Sequence, residues 1–490
     1  MSSSAASMDL LPDPPHTHRR LVLVVMLFIV TRLTAVLLPP LGSDVPIYAS
    51  YAVEFQAARQ MGISLFAFCD LPAEVKQKAV KKLSQDITAW PGDLFEYPPL
   101  ALVPMLLPRW ACTGLRGKTR PGDCTLAKYW IAFRLQMAAV DVLLFLLLAG
   151  LLRRVFPAES SRDTANRLAV YTLGGFLVCQ LIYDRLDLLF AALLTLALAL
   201  LVTQARRGPA WSVLALSIGF KLVSVFLLPI WAVASLAAEP APEKGSVPAV
   251  LGKIAKLAAY ALVIAALSAA CFLPAMCNGG WQGLSFLRYH SQRGIQIEST
   301  WSILLYAVAL WKGPLELSRD PHGSADVTNP TVAGLAQISV AITVLAMAIL
   351  SLAYFFRATR AGRDAAAPPA TVGQTTAALT IRTTVACLLA MMCASKVFSP
   401  QYLLWALPLI CLMPGTERQR RTMFVLFLGL CLLTSLIYPA LFARMLQGFA
   451  LGGRPGWLAY LGVAAVVFRN AGLVVLLVLA LRASCAARQA

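Results

Sequence analysis

The sequence predicts an all-α polytopic integral membrane protein. Of its 490 residues, 59% are hydrophobic and 13% are charged, whereas soluble domains are about 45–50% apolar and about 25% charged. Several stretches approach the roughly 20 apolar residues that a helix needs to cross a bilayer. This composition excludes a soluble globular enzyme, and it also excludes a disordered chain, which needs low hydrophobicity.

The positive net charge is typical of the cytoplasmic loops of a membrane protein. Lys and Arg together number 42 against 23 Asp and Glu, which gives a net charge of +19. The sequence has no basic run interleaved with aromatic residues. We therefore predict no nucleic-acid partner. The positions of the basic residues instead indicate which loops face the cytoplasm.

Eleven apolar stretches separated by polar breaks predict the membrane helices. They are 21–40, 128–151, 168–182, 186–204, 211–236, 256–274, 331–356, 376–394, 401–413, 422–443 and 468–482. The positive-inside rule places the basic loops on the cytoplasmic side. All of them can lie there only if the stretch 211–236 forms two half-helices that meet near Lys221. The prediction is one transmembrane domain of about twelve helices over 21–482, with cytoplasmic tails at 1–20 and 483–490.

Two long segments, 41–127 and 275–330, then face the outer side. In the first, the apolar run 98–108 is about half a span, so we expect it to lie in the interface as a helix that begins at Pro98-Pro99. The same segment carries three cysteines, Cys69, Cys112 and Cys124, for which a disulfide is one alternative. No CxxC spacing in the chain indicates a zinc or redox site.

The candidate functional residues are predicted to lie on the outer side of the membrane. Asp44 follows the first helix directly, where partial desolvation would raise its pKa and suit a general base; a solvated loop aspartate is the alternative. His290 lies between Arg288 and Arg293, which favours a neutral imidazole that can orient a hydroxyl or accept its proton. A loop that is merely basic is the alternative there.

Three or four cations are predicted at the outer membrane boundary, namely Lys221, Arg288 or Arg293, and Lys396, and we assign the arginine to Arg293. Anionic lipid headgroups are natural partners for cations at this level, because the cations cancel phosphate charge. Snorkelling to the interface is the alternative for Lys221, and an interfacial anchor is the alternative for Lys396. In the outer connection at 183–187, the alternatives for Asp184 and Arg185 are that they pair with each other or that they mark a solvated turn.

These residues resemble a known family. In chain order, Asp44 with Tyr48, Glu96-Tyr97-Pro98-Pro99-Leu100, Phe220-Lys221-Leu222, His290 through Glu298-Ser299, and Ser395 through Gln401-Tyr402 look like the motifs of the GT-C superfamily of membrane glycosyltransferases. More narrowly they are similar to family 87, the polyprenyl-phosphate-mannose-dependent mannosyltransferases. The resemblance covers the chain from about Arg19 to Arg482.

The resemblance implies a GT-C fold and an inverting transfer of one hexose, mannose in family 87. The donor would be a polyprenyl-phosphate sugar and the acceptor a hydroxyl of a lipid or glycan, on the outer face of a bacterial plasma membrane. Asp44 would be the general base and His290 its partner in the site, while the three cations would hold the leaving phosphate. The remaining site residues would bind substrate, and they are Tyr48, Glu96, Tyr97, Asp184, Arg185, Glu298, Gln401 and Tyr402.

Two departures from the family pattern shape further expectations. Related enzymes often carry an acidic pair in the first outer loop, whereas Val45-Pro46 follows Asp44 here, so we predict no metal and no other cofactor. Tyr183-Asp184-Arg185 occurs where family members often have a Gly-Gln pair, so the sugar and the acceptor stay open. A transporter or flippase is the rival function, but only the stretch 211–236 indicates a broken helix, and transporters usually carry matching breaks in two halves.

Overall fold

Helices make up nearly all the regular structure of the protein. The computed structural model describes residues 15–39, 43–90, 95–114, 123–204, 207–237, 247–312, 317–319, 325–327, 330–361, 369–450 and 455–483. The helices are α1 (Pro15–Leu37), α2 (Val45–Gln60), α3 (Leu65–Cys69), α4 (Ala73–Lys81), α5 (Leu102–Thr113), α6 (Leu126–Val155), α7 (Ser161–Leu177), α8 (Cys179–Ile182), α9 (Asp187–Thr203), α10 (Gly208–Phe220), α11 (Leu228–Ala237), α12 (Val247–Gly279), α13 (Ser285–Gln292), α14 (Ser302–Lys312), α15 (Pro330–Ala361), α16 (Pro369–Ala394), α17 (Leu403–Cys411), α18 (Glu417–Leu436), α19 (Phe442–Ala450) and α20 (Trp457–Arg482).

The predicted class, an all-α polytopic membrane protein, is confirmed. Among the described residues, seven helical stretches are long and apolar enough to cross a membrane, and five more apolar stretches of 10–17 residues accompany them. Every apolar stretch predicted from the sequence coincides with one or two of the helices. The number of helices that cross the bilayer, about twelve, stays a prediction, and so does the division of the chain into tails and a membrane domain.

Local sequence signals explain where several long helices begin. The hydroxyl of Thr125 accepts a hydrogen bond from the backbone N–H of Lys128 at the start of α6. Thr416 and Gln419 form a reciprocal capping box at the start of α18. Such caps satisfy backbone donors that the first helical turn leaves without partners.

The first predicted outer segment folds into short helices. It contains α2 to α5, and α5 is preceded by a 3₁₀ turn at Pro99–Ala101. The expected helix after Pro98-Pro99 is therefore present, although it extends to Thr113. Among the described residues, Cys69, Cys112 and Cys124 form no disulfide, and the side chains of Cys112 and Cys124 interact with each other.

The break predicted near Lys221 is present. Lys221 is extended, with φ −155° and ψ 118°, between α10 and the 3₁₀ turn Leu222–Leu227 that leads into α11. A second break was not predicted: after α18 the backbone leaves helical geometry at Tyr438, with φ −112° and ψ 128°. The expectation of a single broken helix is therefore wrong. Both breaks border the same cavity, and lining a cavity is the situation in which non-helical backbone at membrane depth is tolerated.

A small antiparallel sheet in the second outer segment is an exception to the all-helical pattern. Its strands are β1 (Ile295–Gln296), β2 (Leu317–Arg319) and β3 (Ala325–Val327), in the order β1-β3-β2. Gln296 faces Asp326 across the β1–β3 pair. The sheet fixes the chain that follows α13, where the sequence placed several candidate site residues.

A buried ion pair connects three helices of the bundle. Arg32 of α1 donates from Nε to Asp141 of α6 at 2.7 Å and from NH1 to the carbonyl oxygen of Thr172 of α7 at 2.8 Å. Tyr171 and Tyr183 also donate to the Asp141 carboxylate. Because an unpaired charge at this depth is costly, the network ties α1, α6 and α7 together.

Candidate functional site

A cavity of about 500 Å³ lies where the starts of α2 and α9, the break after α10 and the chain around α13 and β1 come together. Ten of the thirteen site residues predicted from the sequence line it: Asp44, Glu96, Tyr97, Arg185, Lys221, His290, Arg293, Glu298, Gln401 and Tyr402. Asp44 and His290, the two predicted catalytic residues, therefore share one cavity although the chain separates them widely.

Asp44 forms an ion pair with Arg185 across the cavity wall. Asp44 immediately precedes α2, and Arg185 lies two residues before the start of α9. Arg185 also donates from NH2 to the hydroxyl of Tyr438 at 3.0 Å, and its guanidinium lies 5.8 Å from that ring. The arginine thus connects the carboxylate of Asp44 to the second helix break.

Lys221 already has an anionic partner in the protein. Its ammonium lies 2.5 Å from Oδ1 of Asp187, and the same oxygen accepts a hydrogen bond from the indole N–H of Trp405 at 2.6 Å. The ammonium also lies 4.4 Å from the Trp405 ring centroid. Asp187, the first residue of α9, therefore holds the cation at the break.

His290 of α13 and Arg293, the residue after its end, form part of the cavity wall. The imidazole is exposed to the cavity space, and its ring centroid lies 5.1 Å from that of Tyr289. Arg293 makes a two-pronged ion pair with Asp326 of β3, at 3.0 and 3.2 Å. The sheet register therefore fixes the position of this arginine.

Glu298 is fully buried at the cavity and accepts hydrogen bonds from residues of α20. Arg469 of α20 donates from NH1 to Oε2 of Glu298 at 2.9 Å and from NH2 to its carbonyl oxygen at 2.6 Å, and Asn470 donates to that carbonyl at 3.1 Å. Oε1 of Glu298 has no hydrogen-bond partner within the described residues. Burial raises the pKa of Glu298, although Arg469 acts in the opposite direction. The oxygen without a partner can accept a hydrogen bond from a substrate hydroxyl.

Aromatic rings form much of the remaining wall. Tyr97 packs edge to face against Tyr48 at 5.8 Å, and burial raises its pKa well above the ordinary value. Tyr402 stacks on Trp405 with centroids 3.9 Å apart. Glu96 accepts a hydrogen bond from Tyr51 at 3.5 Å. Such flat surfaces suit the apolar faces of sugar rings, while the acids and hydroxyls suit their polar edges.

Trp90, another lining residue, is held by a buried acid outside the cavity. Its backbone N–H donates to Oε1 of Glu54 at 2.6 Å. Burial raises the pKa of Glu54 to about 7, against smaller opposing effects from this hydrogen bond and from Lys76. Glu54 therefore supports the cavity wall without lining it.

Three predicted site residues lie outside the cavity lining. Tyr48 is buried behind it, where its hydroxyl accepts from the backbone N–H of Leu186 at 3.4 Å. Lys396 lies in a neighbouring groove. Asp184 accepts hydrogen bonds from Arg134 of α6 at 2.7 and 2.8 Å and from the Trp130 indole. Asp184 thus pairs with a residue of another helix and not with Arg185, its neighbour in sequence.

Four residues that shape the site were missed: Asp187, Asp326, Trp405 and Arg469. Arg469 had a signal, since a charge inside an apolar membrane helix indicates a functional or paired position. Asp326 and Trp405 had none, because their roles depend on strand register and helix packing. Within the described part of the chain, no group of three or more His, Cys, Asp or Glu is arranged to hold a metal ion.

Known structures offer only distant likenesses. ArnT from Cupriavidus metallidurans in the apo state has 17% identity and a TM-score of 0.40, over 95% of this chain and 77% of that one. The same protein bound to undecaprenyl phosphate has 16% identity and a TM-score of 0.36, over 94% and 76%. The apo oligosaccharyltransferase of Archaeoglobus fulgidus has 14% identity and a TM-score of 0.38, over 95% and 55%.

At these values the likenesses carry no argument about the function of this chain. No protein-family model matches the sequence, and no curated protein matches it. The functional assignment of this chain therefore rests on the chemistry of the cavity and on the sequence motifs.

Proposed function

We propose that the protein is a membrane glycosyltransferase of the GT-C type. It would transfer one hexose, with mannose the sugar that the sequence resemblance implies, from a polyprenyl-phosphate donor to a hydroxyl of a lipid or glycan acceptor. The observation that supports this proposal is that Asp44 and His290 line one cavity together with Arg185, Lys221 and Arg293. A carboxylate, a histidine and several cations in one partly enclosed space suit the displacement of a phosphate by a hydroxyl.

In the proposed reaction Asp44 acts on the acceptor. Its carboxylate takes the proton of the acceptor hydroxyl as that oxygen attacks the anomeric carbon. The bond from the anomeric carbon to the phosphate oxygen breaks at the same time, and the phosphate leaves with the electron pair. A single displacement of this kind inverts the anomeric carbon. Arg185, through its ion pair, orients Asp44 for the attack.

The other charged residues act on the donor or orient the sugar. Lys221 and Arg293 lie on the wall that would face the leaving phosphate, where fixed positive charge stabilises the negative charge that develops. Both are paired with aspartates, which fixes their positions before substrate binds. Oε1 of Glu298 would accept a hydrogen bond from a sugar hydroxyl. We propose that the site faces outward from a bacterial plasma membrane and needs no divalent metal, so that transfer persists in excess EDTA.

The test of this function is sugar transfer by the purified protein. The wild type, supplied with polyprenyl-phosphate mannose and a membrane lipid extract, should form a mannosylated product that mass spectrometry detects. Asp44→Asn should lower the rate about 100-fold or more, because general base catalysis contributes about 10²–10⁴-fold. Asp123→Asn, at an exposed aspartate outside the cavity, is the matched control and should retain the wild-type rate.

Near-normal transfer by a folded Asp44→Asn variant would remove this residue from the mechanism.

The rival function is transport or flipping of a lipid-linked or polar solute. One observation favours it, because the break at Tyr438 is a second interrupted helix beside the one at Lys221. Movement of a labelled lipid across proteoliposome membranes, without any transfer product, would support that rival.

A further inference from the structure

A groove of about 590 Å³ lies in the first predicted outer segment, next to the cavity that contains Asp44 and His290. Most of its lining comes from α4, and the rest comes from Ala89 and Trp90. Trp90 is half-buried and lines the cavity as well as the groove. The two spaces therefore meet at this residue, and a molecule longer than the cavity can extend past Trp90 into the groove.

Hydrogen bonds of the backbone fix the wall between the two spaces. The N–H of Ala89 donates to Oε1 of Gln77 in α4 at 2.9 Å, and the N–H of Trp90 donates to Oε1 of Glu54 in α2 at 2.6 Å. Two consecutive residues are thus attached to two different helices. The fold therefore sets the position of Trp90 before any ligand binds.

The groove is positively charged. Lys78 and Lys81 line it from exposed positions of α4, and their spacing of three residues puts them on one face of the helix. Among the residues that the structure describes, neither has an ion-pair partner. The lining also contains one acid, Glu74, and one buried lysine, Lys76. Three ammonium groups against one carboxylate favour an anionic ligand, and salt weakens the attraction of the two exposed lysines.

The uncharged part of the lining suits a sugar chain better than a lipid tail. The apolar residues that the structure places there are Ala73, Ala89 and Trp90, which offer little surface to a hydrocarbon chain. The flat ring of Trp90 can stack on the apolar face of a sugar. An acidic sugar meets both requirements, because it brings a ring for Trp90 and a carboxylate or phosphate group for the lysines.

We propose that this groove is a second subsite for the acceptor, and that the acceptor is an acidic glycan. The hydroxyl that receives the hexose lies in the cavity at Asp44, and a following sugar ring stacks on Trp90. An acidic group farther along the glycan lies against Lys78 and Lys81. This inference rests on the proposed function and deepens it, because it names the chemical class of the acceptor.

The groove is connected to the helix that carries the proposed base. Asp44 immediately precedes α2, and Trp90 is attached to Glu54 of the same helix. The cations proposed for the leaving phosphate, Lys221 and Arg293, come instead from the break after α10 and from the end of α13. An acceptor that extends past Trp90 therefore leaves the position of the phosphate free. Separate positions for the attacking and the leaving group are what a single inverting displacement requires.

Binding of two matched trisaccharides tests the proposal. Trigalacturonic acid carries a carboxylate on each ring, whereas galactotriose with the same linkage has the same rings without the carboxylates. Lys78→Gln/Lys81→Gln removes two charges from the groove. Lys82→Gln/Lys128→Gln removes two charges at exposed positions that do not line it, so it is the matched control. Each trisaccharide carries a fluorophore at its reducing end, and fluorescence anisotropy measures its binding to the purified protein at low ionic strength.

We expect the wild type to bind trigalacturonic acid about tenfold more tightly than galactotriose. Lys78→Gln/Lys81→Gln should remove this preference, because two charge-assisted contacts are lost, and should leave galactotriose binding unchanged. The control variant should match the wild type. Trp90→Leu should weaken both trisaccharides about threefold, because the stacking surface is lost.

Equal affinity of the wild type for the two trisaccharides would overturn the proposal. An equal loss of trigalacturonic acid binding in the control variant would overturn it too, because the effect would then come from net charge. Phosphatidylglycerol is the probe for a lipid ligand. If Lys78→Gln/Lys81→Gln lost phosphatidylglycerol binding and kept trigalacturonic acid binding, the groove would be a lipid surface and the proposal would be wrong.

The outcomes separate this inference from the proposed function. The expected binding pattern in a protein that transfers no sugar would support an acidic-glycan site and contradict the glycosyltransferase. Transfer to the acceptor of the membrane lipid extract with the wild-type acceptor KM in Lys78→Gln/Lys81→Gln would support the enzyme and contradict the second subsite.

Discussion

At the scale of single residues, Glu54 gives a pH-dependent prediction. Its carboxylate is buried beside Lys76 and holds the backbone of Trp90, and burial raises its pKa from 4.5 to about 7. Because the folded protein binds the proton more tightly than the unfolded chain, Glu54 stabilises the fold fully below pH 4.5. This contribution is lost as the pH rises through about 7.

We therefore expect the thermal unfolding midpoint of the wild type in detergent to fall between pH 5 and pH 8. The full shift corresponds to about 3 kcal/mol, at 1.36 kcal/mol per pKa unit. Glu54→Gln keeps an acceptor for Trp90 and should remove this part of the pH dependence. Glu74→Gln, at an exposed position of α4, is the control, and identical pH profiles for Glu54→Gln and the wild type would contradict the prediction.

The sequence predicted several residues of the site but not the residues with which they pair. Asp44, Lys221 and His290 were identified because charged or titratable groups at the edge of apolar stretches are unusual. Arg185 and Asp187, the ion-pair partners of Asp44 and Lys221, were not assigned to them, since ion pairing between distant segments depends on packing that residue types do not encode. Asp184 had the same sequence signal as Asp44, yet it pairs with Arg134 outside the cavity.

At the scale of elements, α20 positions a part of the site that lies far from it in sequence. Arg469 is fully buried and pairs with Glu298. Removing one partner of a buried ion pair leaves an uncompensated charge, which costs about 3–5 kcal/mol. The carboxylate of Glu298 would also lose the donor that fixes its orientation.

We predict that Arg469→Leu lowers both the thermal midpoint and the rate of sugar transfer, the latter at least tenfold. The double variant Arg469→Leu/Glu298→Gln should recover stability, because no unpaired charge remains, but not activity. Arg482→Leu, near the exposed end of the same helix, is the control and should match the wild type. Recovery of activity along with stability in the double variant would show that Glu298 has no role in the reaction.

The elements themselves were largely predictable because hydrophobic length and periodicity specify membrane helices. The break at Lys221 followed from charge distribution alone. The break at Tyr438 and the sheet formed by β1, β2 and β3 were missed. Strands of two or three residues carry too few positions for an alternating pattern. The apolar stretch 422–443 carries no charged residue near Tyr438, and Pro439 was the signal of a break there.

At the scale of the whole molecule, the orientation in the membrane can be measured. The basic loops predict that 275–330 lies outside, and Gln292 is exposed there. We predict that Gln292→Cys reacts with an impermeant thiol reagent in intact cells. Since Cys277 is exposed in the same segment, the experiment needs a Cys277→Ser background.

Ala158→Cys, at an exposed position between α6 and α7, is the control for the opposite side. It should react only after the cells are permeabilised. Labelling of Gln292→Cys only after permeabilisation, with Ala158→Cys labelled in intact cells, would reverse the orientation. The cavity would then open to the cytoplasm.

The contact between α20 and Glu298 means that the final part of the chain completes a pocket built mostly from earlier segments. A premature stop codon that removes α20 would leave Asp44, Lys221 and His290 encoded and yet take away the anchor of Glu298. During synthesis, the buried carboxylate of Glu298 has no guanidinium to pair with until α20 has been inserted. Maturation of the pocket therefore waits for α20.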